Sequence, residues 1–338
     1  MKKRLVITIL SLIILPALCF TASAAAKNIK LTYSNFFPPT HIQSILAQQW
    51  CDEVEKRTNG KVKVEYYPGQ TLTKAAQCYD GVVEGISDVG LSCLAYSRGR
   101  FPVLGAVDLP LGYTSGVEAT KVANAVLNNF DPEEFKDTKV MYLHAHGPGL
   151  VHTKDKAVRK LEDMKGLKLR GTGTSGKVVK ALGATPVGMP MPETYQSIQK
   201  GVVDGSVYPF ESNKGWKLGE VTDYATAAFS SAYTTTFFVV MNKDKWNSLP
   251  KDIRKIIEEI NNEWIVNHGN AWDKSDFKGI KFFLEQGNEI IGIDEDEAEK
   301  WEKAVKPIID DYIKVLNKKG LKGKEIVSFI KQELKSLK

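Results

Sequence analysis

The sequence lacks most of the short motifs by which enzymes and metal sites are recognised. It contains no H-E-x-x-H zinc-binding motif and no C-x-x-C pair. Ser92 follows Gly90 but precedes Leu94, so it does not form the G-x-S-x-G turn of serine hydrolases. His144 and His146 share one face of a predicted strand, but no nearby Asp, Glu or Cys completes a metal site. We therefore predict a protein that is not an enzyme and that binds neither a metal nor a cofactor.

Long hydrophobic runs are also absent, except for Leu5 to Phe20 behind the basic residues 2–4. This run ends in Ala22-Ser23-Ala24, the small-residue exit of a secretory signal peptide. It is shorter than the roughly 20 residues of a membrane-spanning helix. We predict that residues 1–24 form a cleaved signal peptide and that the mature protein is soluble and periplasmic.

An excess of charge of one sign is missing as well. The formal charge of +6 falls by three when residues 1–24 are removed, because that segment carries three positive charges and no negative ones. Lys and Glu alternate along the predicted helices and form no basic block. Nucleic acid is therefore not expected as a partner.

Cysteine is scarce, and only Cys51, Cys78 and Cys93 follow the predicted signal peptide. An oxidising compartment permits one disulfide and leaves one thiol. We predict a Cys51–Cys78 disulfide, because both residues fall on predicted helices. Cys93 lies in an apolar predicted strand and is expected to be buried as a small hydrophobic residue. The sequence does not fix the pairing, so the other pairings stay open.

Strands and helices alternate along the chain, which favours an α/β fold with a largely parallel sheet. The mature length exceeds the usual size of one hydrophobic core, so two lobes are expected. Strands are predicted at 29–33, 61–66 and 88–94, and a second α/β unit covers about 148–231.

Two segments are predicted to cross between the lobes. Residues 139–149 form a strand that runs into a Gly-Pro-Gly joint, and residues 234–241 form a strand that returns. Two crossings predict a two-lobed clamp with a cleft between the lobes. We assign 25–147 plus 235–275 to lobe 1, and 148–234 plus 276–338 to lobe 2. The basic tail, 316–338, is expected to be a solvated final helix.

A single arginine, Arg170, ends a predicted strand and precedes a turn of small residues. Its planar guanidinium fits a carboxylate through two parallel hydrogen bonds. The turn, Gly171 to Lys177, nearly matches a nucleotide P-loop, but Val178 stands where the motif needs a hydroxyl group. We predict instead that free backbone N–H groups of this turn, including those of Gly171 and Thr172, help Arg170 to hold an anion.

Four short segments follow one another in a distinctive order: G-L-K-L-R from 166, G-A-T-P-V from 183, E-T-Y-Q-S-I-Q-K-G-V-V-D-G from 193 and K-L-G-E-V from 217. This order resembles the solute receptors of tripartite ATP-independent periplasmic (TRAP) transporters. The resemblance implies a two-lobed periplasmic binding fold, braced by a long helix within 250–287. It also implies an organic acid anion as ligand and a membrane permease as partner. We expect the receptor itself to be a monomer.

Two other classes remain open as alternatives. A receptor of an ATP-driven importer would share the two-lobed plan but not the ordered segments between Leu167 and Val221. A periplasmic enzyme would need a catalytic set of residues, and the sequence offers none.

Departures from the family pattern predict the kind of acid. Many relatives place a second arginine after the first crossing strand and an asparagine after V-D-G. Here 146–152 contains no arginine, and Tyr208 stands in the place of the asparagine. One arginine among several aromatic residues predicts a monocarboxylate with an apolar or aromatic body. Besides Arg170, Gly171 and Thr172, the predicted ligand contacts are Phe37, His41, His146, Tyr208, Phe210 and Glu211, with Glu211 able to accept from a hydroxyl or ammonium group.

Overall fold

The computed structural model of the protein describes residues 28–337, so the predicted signal peptide lies outside the described part. Within that part, none of the helices combines the length and the apolar character needed to cross a membrane. The strands are β1 Ile29–Asn35, β2 Val62–Tyr67, β3 Val89–Cys93, β4 Thr138–Ala145, β5 Leu150–Thr153, β6 Lys168–Arg170, β7 Thr185–Val187, β8 Gly205–Tyr208, β9 Tyr224–Thr226, β10 Thr236–Asn242 and β11 Glu289–Ile291. The α-helices are α1 Ile42–Arg57, α2 Cys78–Val83, α3 Gly116–Phe130, α4 Thr174–Ala181, α5 Thr194–Gln199, α6 Glu211–Gly215, α7 Lys243–Ser248, α8 Lys251–Glu285, α9 Glu295–Lys318 and α10 Gly323–Leu337.

The strands form two sheets, as the two-lobed prediction requires. The first sheet has the order β2-β1-β3-β10-β4, and the second has the order β11-β9-β5-β8-β6-β7. Both sheets are mixed, but all strands except one in each sheet run in the same direction, so the expectation of largely parallel sheets is confirmed. In the first sheet β10 runs antiparallel to β3 and β4, and in the second β5 runs antiparallel to β8 and β9. These are strands that enter a sheet directly after the chain has crossed from the other one. The exact lobe boundaries stay a prediction.

The first sheet separates two hydrophobic cores. Side chains of a strand point alternately to its two faces, and β10 shows this alternation clearly. Phe237, Val239 and Met241 belong to the core that contains α1. Phe238 and Val240 belong to the larger core on the opposite face. All five side chains are buried, so one strand contributes to both cores.

The long helix α8 contacts both halves of the molecule, as the family resemblance implies. Its 35 residues extend for about 52 Å at 1.5 Å per residue. It contacts α1, α3 and β4 on the side of the first sheet, and α6 and β11 on the side of the second. No proline interrupts its hydrogen bonds, so it can connect the two sheets as one rigid element.

The C-terminal segment is not the solvated helix that its basic composition predicts. The helix α9 ends at Lys318, and a left-handed Gly320 (φ 75°) precedes α10. One face of α10 buries four side chains in the larger core, namely Ile326, Val327, Ile330 and Leu334. The charged residues cover the other face, so composition alone concealed an amphipathic helix.

The predicted Cys51–Cys78 disulfide is wrong: Cys51, Cys78 and Cys93 are all free and buried. Cys51 packs in the core with α1, whereas Cys78 packs in the larger core on the other face of the first sheet. A disulfide requires the two Cα atoms to lie within about 7 Å of each other. Here the first sheet lies between the two cysteines. Cys93 is buried, as predicted.

Burial makes these thiols unreactive in the native protein. It raises the pKa of Cys78 and of Cys93 to about 12, and that of Cys51 higher still. We expect purified mature protein to react slowly with a thiol reagent when folded, and to show three thiols per chain after unfolding without reductant. Mass spectrometry after alkylation gives the count. A single thiol in the unfolded chain would show that a disulfide exists after all.

Candidate functional site

A cavity lies between the two sheets and is lined by residues of both. Its empty volume is about 440 Å3, part of it open to solvent. The largest group of lining residues is aromatic: Phe36, Phe37, Tyr96, Tyr208, Trp216, Tyr233, Phe237 and Trp272. Polar side chains that line it include Arg170, His146, Thr172 and Glu211.

Among residues 28–337, Arg170 is the only lysine or arginine that lines this cavity. It ends β6, so the guanidinium projects where the strand gives way to the turn before α4. Its side chain is 4% exposed. The Nε atom donates to the carbonyl oxygen of Met189 at 2.9 Å, and Nη2 lies 3.4 Å from the Tyr96 hydroxyl. Among residues 28–337, Arg170 makes no salt bridge and Nη1 has no hydrogen-bond partner.

The turn after Arg170 does not offer the free N–H groups that its sequence predicts. The N–H of Gly171 donates to the carbonyl of Val187 at 3.1 Å. The N–H of Thr172 donates to the Ser175 hydroxyl at 2.8 Å. That part of the prediction is therefore wrong for both residues. Thr172 still lines the cavity and can offer its hydroxyl group, whereas Gly171 lines a separate, adjacent cavity.

Tyr96 connects the two sides of the cavity. It follows β3 of the first sheet, and its hydroxyl accepts from the N–H of Met191 at 2.8 Å. The same hydroxyl is the one near Arg170 Nη2. Arg170 ends β6 of the second sheet, and Met191 follows β7 of the same sheet. These contacts therefore connect the two sides of the cavity next to the guanidinium.

His41 and Glu211 form a buried pair at another side of the cavity. His41 caps α1, and its Nδ1 accepts from the N–H of Gln43 at 3.2 Å, so the ring proton is on Nε2. His41 Nε2 lies 2.8 Å from Glu211 Oε1, although the two atoms are not aligned for a linear hydrogen bond. His41 is buried behind Glu211 and does not line the cavity. Its predicted place at the ligand is therefore taken by the glutamate that it contacts.

Asp276 of α8 lies close to this pair and to the first crossing segment. Its Oδ1 accepts from the N–H of Glu211 at 2.7 Å. A side chain at Gly147 would collide with its Oδ2 atom, which explains why a glycine begins the Gly-Pro-Gly joint. Burial, with the nearby Glu211 and Asp273 carboxyl groups, raises the pKa of Asp276 to about 8.

His146 lines the cavity, whereas His144 lies behind it. The His144 ring stacks on His268 at 4.2 Å, and its Nδ1 accepts from Trp272 Nε1 at 3.0 Å. Burial lowers the pKa of both His144 and His268. The described residues contain no group of three or more His, Cys, Asp or Glu side chains that could hold a metal ion.

Aromatic rings form the apolar walls. Phe37 lies 5.7 Å from Trp216, 5.5 Å from Phe237 and 6.1 Å from Trp272, measured between ring centroids. Sequence reasoning singled out Phe37 but missed both tryptophans. Trp264, His268 and Trp272 recur at a spacing of four on one face of α8, which was a usable signal for a ring-lined helix.

Two predicted contacts occupy unexpected positions. Tyr208 lines the cavity, but its hydroxyl is directed to Asn213 at 3.2 Å and Thr222 at 3.1 Å. Phe210 does not line the cavity at all and packs in a small core with Leu150 and Phe283. The structure thus brings six of the predicted residues to one cavity, namely Phe37, His146, Arg170, Thr172, Tyr208 and Glu211.

Comparisons with known protein families and with solved structures all identify solute-binding proteins. The family model described as bacterial extracellular solute-binding protein, family 7, matches residues 33–315. A TRAP solute-binding protein from an unidentified marine microbe, described as specific for aromatic acid ligands and bound to metahydroxyphenylacetate, is 32% identical. The match covers 91% of this chain and 99% of that one, with a TM-score of 0.87.

Two further solved structures are similar over nearly their whole length. A TRAP solute-binding protein from Rhodoferax ferrireducens, with copurified benzoate, is 30% identical over 91% of this chain and 98% of that one, with a TM-score of 0.86. A TRAP periplasmic solute-binding protein from Bordetella bronchiseptica, with bound mandelate, is 28% identical over 92% of this chain and 100% of that one, with a TM-score of 0.85.

The raised pKa of Asp276 predicts a pH dependence of stability. Between its ordinary pKa of 3.8 and about 8, the folded protein retains a proton that the unfolded chain releases. This contribution to stability is full below about pH 4 and is lost as the pH rises to about 8. An Asp276→Asn variant lacks this pH-dependent contribution. Its free energy of unfolding should therefore increase relative to that of the wild type as the pH rises from about 5 to 8.

Denaturant unfolding at several pH values measures this difference. Asp311→Asn is the control, because Asp311 is exposed, contacts Lys314 and has a lowered pKa. Its difference from the wild type should stay constant over the same range. A difference for Asp276→Asn that is equally constant would contradict the assigned pKa.

Proposed function

The chain belongs to family 7 of the bacterial extracellular solute-binding proteins and is of the TRAP type, and from this membership we propose that it captures an aromatic monocarboxylate and delivers it to a TRAP membrane permease. In this proposal Arg170 binds the carboxylate, and the aromatic rings of the cavity enclose the body of the ligand. Phe37, His146, Thr172, Tyr208 and Glu211 complete the ligand-binding surface.

The observation that carries the proposal is the buried guanidinium of Arg170. A buried charge without a partner is costly, and this one has no carboxyl group of the described chain within salt-bridge distance. Its Nη1 atom is still able to donate, and a guanidinium pairs best with a carboxylate that accepts from two of its N–H groups. A carboxylate ligand would supply the missing counter-charge.

The single cation and the aromatic walls favour a monocarboxylate. A second carboxylate would enter a cavity that has no other lysine or arginine on its lining and that already contains Glu211. Rings such as Trp216 and Phe237 can contact a flat apolar body. The relatives bound to benzoate, metahydroxyphenylacetate and mandelate support the same class of ligand.

Capture would proceed by closure of the two lobes over the ligand. The contact of Tyr96 with Met191 and Arg170 joins the two sides beside the guanidinium, and it would form only when the cleft is closed. Closure removes water, so the ion pair between Arg170 and the carboxylate becomes stronger. The two crossing segments, the first of which lies against Asp276 at Gly147, would serve as the hinge.

The proposed location and partner follow from family membership and from the predicted signal peptide. We place the mature protein in the periplasm as a monomer, with its lobe surfaces meeting the permease when the ligand is bound. Because the family is one of solute-binding proteins, we propose no reaction for this protein.

Replacing Arg170 tests the proposal. Truncating one partner of a buried charged pair costs about 2–5 kcal/mol. At about 1.4 kcal/mol per decade, Arg170→Ala should weaken the binding of benzoate or phenylacetate by about thirty-fold to several thousand-fold. Isothermal titration calorimetry measures the affinity, and thermal unfolding verifies that the variant is folded.

The matched control is Arg159→Ala, because Arg159 is exposed and pairs with Glu289 at 2.9 Å. Its affinity for the same acids should equal that of the wild type. Unchanged binding in Arg170→Ala would refute the assigned site. A dicarboxylate such as succinate that binds more tightly than every aromatic acid would refute the ligand class.

A further inference from the structure

His146 is a buried histidine at the cavity whose chemistry the carboxylate site does not use. It follows β4 directly, lines the cavity, and is 4% exposed. Its ring lies 5.7 Å from Tyr233, 6.1 Å from Trp272 and 6.3 Å from Phe237, measured between ring centroids. Aromatic contacts therefore fix the position of the ring.

The tautomer of His146 follows from the one hydrogen bond that its ring makes in the described part of the chain. Nδ1 is bonded to the backbone carbonyl of Gly147, and a carbonyl oxygen can only accept, so Nδ1 carries the proton. Burial lowers the pKa of His146 to about 4, so the ring is neutral near pH 7. Nε2 is then a lone-pair acceptor, and it has no hydrogen-bond partner among residues 28–337.

Two charges of opposite sign lie near this acceptor. The charge of Glu211 raises the pKa of His146, and the charge of Arg170 lowers it, although burial is the larger effect. His146 therefore lies within electrostatic range of both. Glu211 is already contacted by His41 Nε2 at 2.8 Å and by the Ser212 hydroxyl at 3.2 Å. His146 Nε2 has no donor among the described residues.

We infer that the site selects a carboxylate that also carries a hydroxyl group, and that His146 Nε2 accepts the hydrogen bond from this hydroxyl. The inference rests on the proposed function, because it requires the carboxylate to be held at Arg170. The aromatic body then lies against the ring walls, and the hydroxyl group points to the crossing segment after β4.

The expected selectivity follows from the cost of an unpaired buried acceptor. A ligand without a donor would displace water from Nε2 and leave this atom without a hydrogen bond. Such a loss corresponds to about five-fold to a hundred-fold in affinity. A methoxy group should be at least as unfavourable as hydrogen, because it is larger and cannot donate.

The test compares triplets of aromatic acids that differ only in one substituent. For each ring position of benzoate, and for the carbon next to the carboxylate of phenylacetate, calorimetry gives the affinity of the hydroxyl, hydrogen and methoxy forms. At one position at least, the wild type should bind the hydroxyl form about five-fold to a hundred-fold more tightly than the other two.

Variants then locate the acceptor. In His146→Phe, which retains a ring but has no acceptor, the hydroxyl preference within that triplet should fall to less than about two-fold. In His146→Gln, whose side-chain oxygen can accept, part of the preference should return. Glu211→Gln should retain the preference. Ratios within a triplet cancel any general weakening of binding, and thermal unfolding verifies that each variant is folded.

Several outcomes would overturn the inference. Aromatic acids that bind without any hydroxyl preference would refute it while leaving the proposed function standing. A preference that survives in His146→Phe and disappears in Glu211→Gln would assign the acceptor to Glu211 instead. Failure of every aromatic acid to bind would refute the proposed function and this inference with it.

Discussion

Folding buries the guanidinium of Arg170 without a counter-ion in the described chain, and the proposed function depends on this buried charge. Arg170 is held by the Met189 carbonyl and the Tyr96 hydroxyl, and both of these partners are neutral. Neutral partners satisfy hydrogen bonds but do not neutralise the charge, so the empty cavity remains at a higher free energy than a cavity that contains an anion. The carboxylate of the proposed ligand would supply the missing negative charge. Part of the free energy of binding would then come from pairing a charge that is already buried in the folded protein.

The unpaired charge of Arg170 can be coupled to closure of the lobes, because contacts from both sides of the cavity meet at its guanidinium. Tyr96 reaches the second side only where Met191 and Arg170 are close, and Asp276 on α8 contacts Glu211 and lies against Gly147. A ligand shifts an equilibrium only by its differential affinity for the two states. In the proposed function, the carboxylate gains most where water is excluded, so it stabilises the closed state. The rigid helix α8 would keep the two lobes in register during this motion.

Local sequence patterns predicted the parts of the fold that depend on local physics. The strands near 29–33, 61–66 and 88–94 and the long helix within 250–287 are confirmed within a few residues, because alternation and helical periodicity arise from one face of each element being buried. The one antiparallel strand of each sheet, β10 in the first and β5 in the second, was not predictable in this way. Its direction depends on where the chain crosses between the lobes, which is a property of the whole topology.

For the site, sequence reasoning brought Arg170, His146 and Glu211 to the same cavity but erred where the answer depends on tertiary contacts. Phe210 and Glu211 are neighbours in sequence, yet their side chains belong to different environments, because α6 begins between them. The N–H groups of Gly171 and Thr172 are occupied by partners at Val187 and Ser175, which no spacing rule reveals. Trp216 and Tyr96 were missed, because each enters the cavity from an irregular or short element without periodicity.

The most direct test of the central claim is mass spectrometry of the small molecules released when purified mature protein is denatured, carried out in parallel on the wild type and on Arg170→Ala. We predict that an aromatic monocarboxylate is released from the wild type and is absent from the variant. The same acid retained equally by both proteins would show that the buried guanidinium is not what holds the ligand, and would contradict the account.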